Sequence, residues 1–152
     1  MVVRFIFFRC NLDPLSQHII KGESIMAEKI TDFSLKHMGS SYSRNANNQV
    51  VSTINFSGEV SVYGGVFGSL TFVENFNEAD AKSGTCSWLG EAMLEDGTRI
   101  FGSLDGTWNQ VEGKHIYKIT MEGKESTGRK TRSEGEIALE TLIYSGSVYT
   151  RN

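Results

Sequence analysis

Cysteine is scarce in this 152-residue chain, which has only Cys10 and Cys86, with no metal-ligand spacing around either. That points to two free thiols in a reducing, cytoplasmic compartment rather than a stapled scaffold or a cysteine metal site. A Cys10–Cys86 disulfide stays open, although it would tie the rest of the chain to an atypical N-terminal segment. Excess positive charge is also lacking. The formal net charge is -3, which speaks against a nucleic-acid partner, since that would require a basic face. No apolar run is long enough for a membrane helix, because Arg4 and Arg9 cut the one near the start. No cofactor, metal or membrane partner is expected. Proline occurs once, at Pro14, and only Gly22 and Gly39 precede residue 50 among 16 glycines.

Residues 1–25 differ from the rest and read as an N-terminal extension. They are a poor signal peptide, without an unbroken apolar core or a small-residue cleavage site. Met26 opens a conventional start, MAEKITDF, and Lys21-Gly22-Glu23 can be encoded by purine-rich codons that resemble a bacterial ribosome-binding site. The expected domain is therefore 26–152, and 1–25 is read as translated leader.

From Ile30 onward apolar residues alternate, the period of half-buried strands. The expected strands are 30–38, 49–56, 58–76, 85–94, 99–108, 114–122, 134–144 and 147–150. Ser40–Asn48, Asn77–Ser83 and the basic stretch Gly123–Ser133 read as loops. Eight short strands, dense glycine and no long helix imply an all-β fold, a single closed antiparallel β-barrel, with a β-sandwich as the alternative. Val66-Phe67-Gly68-Ser69-Leu70 echoes Ile100-Phe101-Gly102-Ser103-Leu104, as small-residue strands in sheets often do.

Asp96-Gly97 between two alternating segments is a hairpin signal. A two-residue turn there sets Met93 opposite Ile100, Glu91 opposite Gly102 and Leu89 opposite Leu104. The inward face is then Thr85, Ser87, Leu89, Glu91 and Met93 with Ile100, Gly102, Leu104 and Trp108. Trp88, Arg99, Phe101 and Asp105 face out. On the next strand His115, Tyr117, Ile119 and Met121 point in. Glu91, in an apolar interior beside a glycine, is a candidate proton-transfer group. His115 and Tyr117 are candidate catalytic partners. Leu89, Met93, Gly102, Leu104, Trp108, Ile119 and Met121 are the expected ligand-binding wall. Each has a plainer structural reading as core or local hydrogen bonding. Lys124, Arg129, Lys130 and Arg132 read as a solvated turn able to meet an anion. Gly64-Gly65-Val66-Phe67-Gly68 is not followed by a helix and is no phosphate loop. No nucleophile motif surrounds Ser69, Ser103 or Cys86.

The stretch from Gly84 through Leu94, with Asp96-Gly97-Thr98, Phe101-Gly102, Gly106 and Gly113 to Glu122, resembles the small allene oxide cyclase-type barrels of bacteria. In outline the chain is also similar to lipocalins and other calycin-type barrels. The resemblance covers about forty residues and implies a closed antiparallel barrel with a ligand-sized interior. It carries no catalytic residue across. Three functional readings follow. One is a barrel holding an apolar small molecule. Another is a cyclase or isomerase that folds a flexible apolar substrate and moves a proton. The third is an interaction protein, a homodimer or higher homo-oligomer, joined through outward aromatics.

Overall fold

Left-handed backbone positions cut the chain into strands, and at most of them the sequence supplies glycine or asparagine. Asn48, Gly64, Gly97, Gly113 and Gly128 all have positive φ and lie at connections. The computed structural model describes residues 27–152. Cys10, Pro14 and the extension read over 1–25 lie outside them. The strands are β1 (Lys29–Arg44), β2 (Gln49–Val60), β3 (Gly64–Asn75), β4 (Ser83–Met93), β5 (Arg99–Gln110), β6 (Ile116–Glu125), β7 (Lys130–Ala138) and β8 (Ile143–Thr150). Each pairs antiparallel with its chain neighbours, and β8 returns to β1 to close the barrel. The all-β barrel expected from the sequence is thus the fold, compatible with a calycin-like architecture, and the sandwich alternative falls. No helix among the described residues is long and apolar enough to cross a membrane.

Several strand limits differ from expectation. β1 continues through the Ser-rich segment to Arg44, bending at a bulge between His37 and Gly39. The break falls at 61–63 rather than at Ser57, and residues 139–142, not 145–146, separate the last two strands. The basic stretch is mostly strand, with a short turn at 126–129.

Inward side chains come from alternate positions. Phe72, Cys86, Trp108 and Ile119 fill one end, with Phe72 and Tyr117 edge-on to Trp108 at 6.1 and 5.7 Å between centroids. Leu35, Phe56, Leu70, Leu104, Met121 and Tyr144 fill the middle. Outer positions of β6 and β7 carry Lys118, Glu122, Lys124 and Glu136, so charge faces out and apolar side chains face in. On these two strands the pattern is the inverse of that in a transmembrane barrel.

Small interior residues let the strands coil tightly around this core. A Cβ at Gly123 would fall 1.9 Å from the Ser103 carbonyl oxygen, and one at Gly68 would fall 2.2 Å from the Trp88 ring. Gly68 thus makes room for Trp88.

One correction concerns the β4–β5 hairpin. Its loop has three residues, Glu95-Asp96-Gly97, closed by Leu94 N–H donating to the Thr98 carbonyl at 3.0 Å. Gly97 is left-handed, with φ of 88°. A type I turn followed by such a residue is the usual three-residue hairpin connection. An odd loop shifts the register by one residue and turns β4 over. Ala92 therefore faces Ile100, Gly90 faces Gly102 and Trp88 faces Leu104. Trp88 points inward, whereas Leu89, 66% exposed, and Met93, 44% exposed, point out and do not form the expected wall. Thr85, Ser87 and Glu91, also expected inside, share their outward parity.

Candidate functional site

The connections after β2, β4 and β6 crowd one end of the barrel, and a cavity opens there. Its volume is about 110 Å³. Phe33, Leu35, Val60, Val66, Trp88, Ala92, Ile100, Leu104, Met121, Tyr144 and Val148 supply its apolar wall. The polar groups are few: Tyr63, Glu91, Glu125, Thr131 and Ser133.

The mouth is crossed by a hydrogen-bonded bar. Tyr63 precedes β3, and Glu125 ends β6, three strands away in the ring of eight. The Tyr63 hydroxyl donates to Glu125 Oε1 at 2.5 Å. Arg129, in the turn after β6, donates from Nε to Glu125 Oε2 at 3.1 Å and from Nη2 to Oε1 at 2.8 Å. Arg129 Nη2 also donates to the Tyr63 hydroxyl at 3.1 Å, and Thr127 Oγ1 donates to Glu125 Oε2 at 3.2 Å. Glu125 is buried, at 7% exposure, so this pairing is what allows a charge to stay there.

The electrostatics follow from that geometry. Burial alone would raise the Glu125 pKa, but hydrogen bonds from Arg129, Tyr63 and Thr127 and the charge of Arg129 outweigh it. The net shift is downward. Burial, then the bond to Glu125, pushes the Tyr63 hydroxyl well above its ordinary range. At the opposite end burial, aided by the charge of Asp105, lifts the Cys86 thiol to about 11, leaving it protonated and inert near neutrality.

A strained residue adjoins the bar. Tyr63 N–H donates to the Val60 carbonyl at 3.1 Å, forming a turn. Val62 sits at its third position with φ of 78°. Gly or Asn is the usual occupant there, and a β-branched residue is strained. Backbone strain of this kind tends to gather at functional sites.

The residues singled out from the sequence are spread over the barrel. Gly102, Leu104 and Met121 line the cavity. Trp108 and Ile119 are buried in the packed core at the other end. Glu91 is at the cavity rim, where Arg99 Nε lies 3.5 Å from its Oε2. His115 is exposed beyond the far end, outside β6, with Nδ1 3.0 Å from the Tyr117 hydroxyl. Glu91 pairs with Phe101 and Tyr117 with Gln110, nine residues apart along β5. At about 3.3 Å per residue that is roughly 30 Å, so the three candidate catalytic groups are not brought together. The basic stretch is partly neutralised as well, Arg129 by Glu125 and Arg132 by Glu134.

Sequence reasoning missed the Tyr63–Glu125–Arg129 cluster. One signal was present: Glu125 continues the inward parity of Tyr117, Ile119 and Met121. A carboxylate on a core face calls for a partner. Among the described residues no three His, Cys, Asp or Glu side chains stand close enough to hold a metal.

Outside the barrel, Phe67, Leu89, Phe101 and Met93 are exposed on β3, β4 and β5. Phe67, Glu91 and Phe101 form one cross-strand row. The Arg99 guanidinium stacks on the Phe101 ring at 4.9 Å.

A scan against protein-family profiles finds no match to this chain, and searches of curated proteins and of solved structures likewise find none.

Proposed function

We propose that this barrel binds a small apolar molecule in the cavity beneath the Tyr63–Glu125 bar. The observation that carries the reading is an apolar recess, inside a closed barrel, whose charged groups stand at its mouth. Small barrels of eight strands enclose room for a single small ligand. Gly102, Leu104 and Met121 belong to the proposed site, with Trp88, Phe33 and Val148. The test is titration with toluene, followed by methyl NMR shifts of Leu104 and Val148 and by thermal unfolding. Saturable shifts confined to the lining and a rise in Tm support binding. Absence of saturation up to toluene's solubility limit refutes it.

The cyclase or isomerase reading suggested by the resemblance to allene oxide cyclase-type barrels has less support. Sites for drug-sized ligands run to about 300–1,000 Å³, well above the room available for a long flexible substrate here. Glu91 alone of the three proposed catalytic groups adjoins the cavity.

A second reading, compatible with the first, has its own observation. Outward-facing Phe67 and Phe101 flank Glu91, Leu89 lies next to it on β4, and Arg99 stacks on Phe101. A two-fold-related copy would offer each charge its opposite, the self-complementarity that isologous dimers need. Light scattering of the wild type against Leu89→Glu tests it. A dimer that becomes a monomer on substitution supports the interface, and a wild-type monomer at high concentration refutes it.

A further inference from the structure

Building on the binding reading, we propose that the cavity selects an uncharged, ring-sized molecule carrying one hydroxyl or carbonyl group, and that the Ser133 hydroxyl makes the selection. Ser133 lies on the inward face of β7, opposite Val148, and lines the cavity. It is 6% exposed, and its Oγ makes no hydrogen bond. The Tyr144 hydroxyl is its neighbour, without a well-formed bond between the two. A buried hydroxyl without a partner costs about 1–3 kcal/mol, so such groups call for an explanation. A ligand atom that bonds Ser133 Oγ supplies one.

Size and charge narrow the class. The cavity is about 110 Å³. A cavity of about 150 Å³ lined by aliphatic and aromatic side chains accommodates benzene, so one six-membered ring is the scale of the guest. Among the described residues no Lys, Arg or His lines the cavity. Of the two carboxylates that do, Glu125 already accepts four hydrogen bonds and Glu91 stands at the rim beside Arg99. A guest carboxylate would meet like charge, and the nearby cations, Arg129 and Arg99, are already paired with Glu125 and Glu91. A guest ammonium would be buried among apolar groups with no free acceptor carboxylate, and an unpaired buried charge is costly.

The experiment compares phenol, toluene and benzoate at pH 7 on wild type, Ser133→Ala and Ser133→Thr, read by NMR titration. In the wild type, phenol should bind about tenfold tighter than toluene, the worth of one hydrogen bond near 1.4 kcal/mol, and benzoate should not bind. Ser133→Ala should abolish the preference for phenol over toluene, whatever it does to the affinity for toluene itself. Ser133→Thr, which keeps a hydroxyl, should retain the preference and also serves if the alanine variant does not fold. A phenol preference that survives in Ser133→Ala, or is lost in Ser133→Thr that still binds toluene, overturns the assignment. Equal binding of benzoate overturns the charge selection. Toluene binding with no preference for phenol in the wild type defeats this inference and leaves the binding reading standing. Failure of every compound defeats both.

Discussion

The Tyr63 hydroxyl and Glu125, 62 residues apart in sequence, meet over the cavity mouth in a hydrogen bond of 2.5 Å. Removing the donor leaves a buried carboxylate short of one partner. Tyr63→Phe should therefore lower stability by about 1–2 kcal/mol, measured by urea unfolding. It should also speed the association of a cavity probe, measured by stopped flow. Unchanged entry would show that the bar does not gate the cavity.

The same carboxylate makes stability depend on acid. In the folded protein the Glu125 pKa lies below its ordinary value of 4.5. The unfolded chain therefore takes up the proton first as the pH falls. The contribution of Glu125 is fully present above about pH 4.5 and is lost as pH falls through the lowered folded value. Glu125→Gln should remove that dependence and lower stability at neutral pH. Tm profiles between pH 7 and 3 check this, and parallel curves for the two proteins would contradict it.

Relief of strain at Val62 offers an independent check. Left-handed backbone costs an ordinary residue about 1–2 kcal/mol, and asparagine tolerates it better. Val62→Asn should stabilise the fold by about 1 kcal/mol in chemical unfolding. Val62 is exposed, so little packing is lost in exchange.

Two glycines on the inward face should respond in opposite ways. A Cβ at Gly123 would collide with backbone, whereas one at Gly102 meets nothing within 4 Å. Gly123→Ala should cost about 3 kcal/mol or more, as overpacking against a fixed neighbour does. Gly102→Ala should be neutral or stabilising by about 0.5 kcal/mol, as alanine is less costly than glycine in a strand. It should also weaken probe binding by filling part of the cavity. Unfolding midpoints and toluene affinity report the two effects.

The alternating pattern made the barrel and its eight strands legible in the sequence, because a period of two survives wherever one face is buried. Fine register was not legible. Asp96-Gly97 marked the hairpin correctly, but the composition of the loop does not say whether two residues or three are left unpaired. That single residue decides whether Trp88 or Leu89 faces the core. On β5 and β6, where no such slip intervened, Leu104, Trp108, Ile119 and Met121 are buried as expected. The Tyr63–Glu125–Arg129 cluster lay beyond local reading for another reason. Its members converge only through barrel closure, and nothing near Tyr63 in the chain announces Glu125.

Seven of the eight pairings join strands adjacent in sequence, while the seam between β1 and β8 joins residues as distant as Lys29 and Tyr149. A meander of hairpins can grow one turn at a time, but that seam carries the largest single loop-closure entropy of the fold. It is therefore the natural last step of folding and the first place to part under stress. Once parted, β1 and β8 become two open edges with unpaired backbone, ready to accept a strand from another chain. The closure that shelters the cavity is thus also the point from which strand exchange between molecules would begin.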